Sequence, residues 1–142
     1  MRIVHLRRDD YPGDAGWRLL DWCLSRGADE VSLTFLGPPY LTRTASAAID
    51  ELLAPFRSRV ASAGDRWVLN GETVAVLREF LLDGPFARTA GVSSLQDLTV
   101  YRGGEEFLHI ASRDGTADLR VRDDEEPSLD RAGLAYHRRR TG

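Results

Sequence analysis

The sequence predicts one domain of the α/β, mixed α+β class: an N-terminal β-α-β-α-β-α half, a three-stranded antiparallel meander, and a short C-terminal helix. Three observations carry this expectation. A length of 142 residues suits one domain, which typically holds about 100–200. Through the first half, apolar residues alternate between a spacing of two and a spacing of three to four. Beyond residue 96 only the spacing of two persists, interrupted by Gly103-Gly104 and Asp114-Gly115, both turn formers. The globular part is placed at 1–133 and an extended tail at 134–142, with a mixed sheet covered by helices.

Ile3 to Leu6 read as the first strand. The loop Asp9-Asp10-Tyr11-Pro12-Gly13-Asp14 ends in an aspartate that can cap a helix opening at Ala15. Trp17, Leu20 and Leu24, joined by Leu19 and Cys23, form its buried stripe, Trp22 lies at the edge, and Gly27 supplies a left-handed stop. Val31, Leu33 and Phe35 make a second strand, ended by Gly37-Pro38-Pro39. Thr44 or Ser46 caps a helix with Ile49, Leu52, Leu53, Phe56 and Val60 on one face, and Pro55 should bend or break it. Trp67 to Leu69 form a third strand. Asn70-Gly71 is then either a hairpin turn or a helix start, and Val74, Leu77 and Leu81 favour the helix, running to Gly84-Pro85.

The meander strands are placed at Asp97 to Arg102, Glu105 to Ser112 and Ala117 to Arg122, and Pro127 and Ser128 open a helical turn closed near Gly133. Two-residue turns would set Thr99, Tyr101, Leu108, Ile110, Leu119 and Val121 on the core face. The other face would carry Leu98, His109 and Arg120 in one row and Val100, Phe107 and Arg122 in the next. An apolar strip flanked by arginines and a histidine is a candidate binding surface. The run Asp123, Asp124, Glu125 and Glu126 is a candidate acidic patch, or a solvated connector that favours the following helix start.

A net charge of −3 argues against a uniformly basic, nucleic-acid-binding surface, leaving only the end His137-Arg138-Arg139-Arg140 as a local cationic element. No apolar run approaches the roughly 20 residues that cross a bilayer, and no secretory signal is visible, so a cytoplasmic protein without membrane spans is expected. The lone Cys23 excludes an internal disulfide and is expected to be buried and inert. No nucleophile elbow surrounds Ser93 or Ser94, and no phosphate-binding glycine loop is present. His5, His109 and His137 lack metal-ligand spacing, and His5 with Asp9 and Asp10 finds no cysteine support, so neither metal nor cofactor is expected.

These features point to a non-catalytic cytoplasmic binding module for a protein partner, in the form of an immunity- or antitoxin-type inhibitor. The alternative is a small enzyme that acts on an anionic substrate through His109 with Arg120 or Arg122. A weaker alternative is nucleic-acid binding through the arginine tail. A deep pocket at His109 would favour the enzyme, and a flat surface would favour binding.

Overall fold

The computed structural model describes residues 1–36, 51–58, 66–90 and 93–138. In chain order the elements are β1 (Arg2–Arg7), α1 (Ala15–Ser25), β2 (Glu30–Leu36), β3 (Arg66–Val68), α2 (Gly71–Phe80), β4 (Thr89–Ala90), β5 (Ser93–Arg102), β6 (Glu105–Ala111), β7 (Thr116–Val121), α3 (Glu125–Ala132) and β8 (His137–Arg138). The mixed α+β class is as expected, but the sheet is not mixed. Eight strands run in the order β3-β2-β5-β6-β7-β1-β8, with β4 beside β5, and every pairing among the described residues is antiparallel. Although α1 links β1 to β2, the whole meander stands between them. Hydrophobic spacing reports which face a strand buries and says nothing about which strand lies beside it. The two outermost strands are short, which limits edge-to-edge association.

Local chemistry explains the helix ends. Asp14 makes no side-chain cap, but α1 stops where glycine permits a left-handed turn. At Gly27 φ is +94°, its N–H donates to the Leu24 carbonyl at 3.1 Å, and the Ala28 N–H reaches the Cys23 carbonyl at 3.0 Å. Asn70-Gly71 opens α2 rather than a hairpin. Asn70 Oδ1 accepts from the Glu72 and Thr73 amides at 2.9 and 3.0 Å, while Thr73 Oγ1 accepts from the Asn70 amide at 2.7 Å. Asn70→Ala is therefore expected to cost about 1 kcal/mol in chemical denaturation, and an unchanged midpoint would show the cap to be dispensable.

Pro55 ends its helix: residues 51–53 are helical, Ala54–Phe56 tighten into a 3-10 turn, and Arg57 turns extended to bridge Trp67. Of the stripe expected there, Leu53 is buried, Phe56 packs on the core and Leu52 is exposed. Gly37-Pro38-Pro39, Thr44, Ser46, Ile49 and Val60 lie outside the described residues. At the other end of the chain, α3 begins at Glu125, ahead of the expected start at Pro127, and closes at Gly133 with φ +71°. Beyond Gly133 the chain packs back onto the domain. Leu134 is buried, Ala135 accepts from the Tyr11 hydroxyl at 2.5 Å, and β8 pairs with β1. Residues 139–142 lie outside the described residues.

One core joins Trp17, Leu19, Leu20, Trp22 and Cys23 of α1, Val74 and Leu77 of α2 and Leu129 of α3 to the inner face of the sheet. The register of the meander decides which residues form that face, and it departs from expectation. The Gly103-Gly104 turn does have two residues, with Arg102 opposite Glu105, but a β-bulge follows at once. Tyr101 pairs with Glu106 and Val100 with Leu108, so Phe107 is the extra residue. That one-residue shift turns β5 over relative to the expected pairing, burying Leu98 and Val100 and sending Thr99 and Tyr101 to the other face. The second turn spans four residues, Ser112 to Gly115, between paired Ala111 and Thr116. This shift of two preserves the faces of β7 but sets Asp118, not Arg120, opposite His109.

Cys23 is fully buried, as expected, and burial pushes its thiol above the ordinary range. The native protein should therefore resist a bulky thiol reagent until it unfolds. Rapid modification of the folded state would contradict the packing of α1.

Candidate functional site

On the sheet face away from the core, one row of register partners crosses seven strands: Arg66, Ser32, Thr99, His109, Asp118, His5 and His137. The three histidines of the chain thus meet on one surface, brought together from positions far apart in sequence. Each has a carboxylate partner. His5 donates from Nδ1 to Asp118 Oδ1 at 2.6 Å, His109 from Nε2 to Asp97 Oδ1 at 2.9 Å, and His137 from Nε2 to Asp10 Oδ2 at 2.9 Å. An ionised carboxylate only accepts, so each contact fixes the tautomer and leaves the second ring nitrogen available.

Arg120, opposite Ile3, approaches Glu106 to 3.9 Å. Together with His109, Asp118 and the edge of Phe107 these side chains frame a recess of only about 50 Å³. Toward β3, the Arg66 guanidinium lies 3.6 Å from the centre of the Tyr101 ring, whose hydroxyl is 3.0 Å from that of Ser32. The surface is broad and polar, shallow around His109 and opening into a larger groove along His5, Asp118 and His137.

The six residues expected to form one binding face are divided between two faces. Leu98, Val100 and Phe107 belong to the core, where the Phe107 ring packs 5.8 Å from Trp22. His109 and Arg120 do lie on the open face. Arg122 follows the end of β7, and its backbone amide donates to Glu125 at 2.9 Å. The sequence reading missed His5, Asp97, Asp118 and His137. They are polar residues at outward positions of their strands, but no local signal could bring them together without the register.

The acidic run also divides. Asp123 and Asp124 are exposed, near Arg2 at 3.9 Å and Arg26 at 3.2 Å. Glu125 is fully buried and accepts from Arg102 at 2.7 and 3.0 Å and from Arg26 at 2.9 Å. Burial by itself would raise the Glu125 pKa, but the hydrogen bonds from Arg102, the Arg122 amide and Arg26 outweigh it and pull the value down to about 2. Glu126, also buried, holds Arg138 at 2.9 Å and Arg2 at 3.4 Å. The two glutamates are an ion-paired brace from α3 to α1, β1, β5 and β8, so the run is not a continuous acidic patch.

Among the described residues, no group of three or more His, Cys, Asp or Glu side chains is arranged to hold a metal ion. Nor is any helix among them long and apolar enough to cross a membrane. Fold and site together define a single α+β domain with helices over one face of an antiparallel sheet and a histidine-bearing polar row on the other. Comparison of the chain with protein-family models, curated proteins and solved structures gives no match.

Proposed function

We propose that this chain is a non-catalytic cytoplasmic binding module that docks a protein partner on its open sheet face, in the manner of an immunity- or antitoxin-type inhibitor. The shallowness of that face around His109 carries the reading. The recess at His109 holds about 50 Å³, against the roughly 300–1,000 Å³ of sites that enclose small molecules. A flat surface with Ile3 exposed among Arg120, Glu106, His109 and Asp118 suits a partner that brings its own complementary groups. Catalysis by His109 with Arg120 or Arg122 has less support, because the recess at His109 is too small to enclose a substrate and Arg122 lies off it. Of the arginine tail, Arg138 is engaged by Glu126, and Arg139 and Arg140 lie outside the described residues.

Affinity capture from the native organism with the natural chain and with Arg120→Glu tests the proposal. The natural chain should retain a specific protein that Arg120→Glu releases at unchanged melting temperature, because Arg120 is exposed. Equal retention by both chains would move the site away from this face.

A further inference from the structure

We propose that the end of β1 and the turn after it form a binding site for a phosphate group, either free phosphate or the terminal phosphate of a nucleotide. A recess of about 290 Å³ opens there between Arg7, Arg8 and Arg88, with Asp9, Asp114 and Thr116 also on its wall. Three guanidinium groups face two carboxylates, and no ion pair among the described residues joins them.

The Arg8 side chain is pinned from behind. Its Nε donates to the Phe86 carbonyl at 2.8 Å and its Nη2 to the Ser112 carbonyl. Both acceptors are neutral, so they hold the guanidinium without cancelling its charge. Gly115 makes room for it, since a Cβ at that position would stand 2.7 Å from Arg8 Nη1. Burial and the nearby Arg88 charge lower the Arg8 pKa, with Asp9 opposing. Excess positive charge at this corner is therefore only partly offset by the protein itself. Arg7 and Arg88 are exposed, and no side-chain hydrogen bond among the described residues occupies either guanidinium.

The recess continues into a larger groove. Arg7 and Thr116, which are register partners, line both, and the groove runs on past His5, Asp118 and His137. His5 and His137 stand directly opposite each other across β1 and β8, with Asp118 and Asp10 occupying one nitrogen of each. His5 Nε2 and His137 Nδ1 are left over as acceptors, able to take a hydrogen bond from a hydroxyl of the ligand. The guanidinium forks of Arg7 and Arg88, with the remaining Nη1 of Arg8, offer more donors than the two oxygens of a carboxylate can accept, whereas a terminal phosphate presents three oxygens. The three arginines lie beside the face assigned to a protein partner and the groove reaches into it at Asp118, but the site does not rest on that assignment.

Calorimetric titration of the full chain at neutral pH and low salt, with inorganic phosphate, AMP, adenosine and acetate as separate probes, tests the inference. Phosphate and AMP should bind, with adenosine and acetate silent, and Arg7→Ala combined with Arg88→Ala should weaken binding by about tenfold or more. Both arginines are exposed, so the variant should melt as the natural chain does, and Arg131→Ala, exposed and away from the recess, should bind normally. Tighter binding of AMP than of phosphate identifies a nucleotide as the source, and equal binding identifies free phosphate. No binding at millimolar probe, equal binding of acetate, or full affinity in a folded double variant would overturn the proposal.

Discussion

Replacing Glu125 by alanine is expected to destabilise the fold by about 3–5 kcal/mol, the range for breaking a buried ion pair from one side. Every donor around this carboxylate would lose its acceptor at once: both Nη groups of Arg102, Nε of Arg26 and the backbone amide of Arg122. Arg102 suffers most, because only 13% of its side chain is exposed and solvent cannot readily replace the glutamate. Urea denaturation measures the loss, and a change below about 1 kcal/mol would mean that the arginines relax into water. Replacing Glu125 and Arg102 together by methionine should recover much of the stability, since no charge is then left unpaired.

The same carboxylate predicts how stability depends on acid. Its folded-state pKa, about 2, lies below the ordinary 4.5, so folding favours the ionised form. The resulting stabilisation is complete above the ordinary value and drains away as pH falls from about 4.5 toward about 2. Glu125→Gln should flatten that part of the stability profile. A profile that keeps its full slope in the variant would assign acid sensitivity to other carboxylates.

Phe107→Ala is expected to cost about 3–5 kcal/mol, while Arg120→Ala changes stability by no more than about 0.5 kcal/mol. For Phe107 this reverses the sequence expectation, which put both side chains on the face away from the core. Phe107 is 2% exposed, lies against Trp22, and carries the Arg102 guanidinium 3.8 Å from its ring centre. Truncation opens a cavity between α1 and the sheet and removes the platform beneath a buried ion pair. Thermal unfolding of both variants decides the matter. Equal melting temperatures would mean that the bulge can rearrange to restore the simple register.

What the sequence determined by itself is local. Spacing located α1, α2 and the strands β1, β2, β3, β5, β6 and β7, because the side that meets the core must repeat with the geometry of its own element. Gly27 and Asn70 marked helix boundaries because a left-handed turn and a capping oxygen act within a few residues. Pro55 ended a helix for the same local reason: a missing amide and a ring clash need no tertiary partner.

Tertiary structure decided the neighbours, the register and the site. The bulge at Phe107 is not written in turn chemistry, since Gly103-Gly104 makes the expected two-residue turn; the extra residue follows it and lets Phe107 and Leu108 both be buried beneath the helices. Glu125 and Glu126 look like solvated charges along the chain, and only the fold brings Arg102, Arg26, Arg2 and Arg138 to them. The histidine row has the same origin. Periodicity can place His5, His109 and His137 on outward positions of their strands, but their meeting depends on hydrogen bonds between strands distant in sequence, and the local pattern carries no record of those bonds.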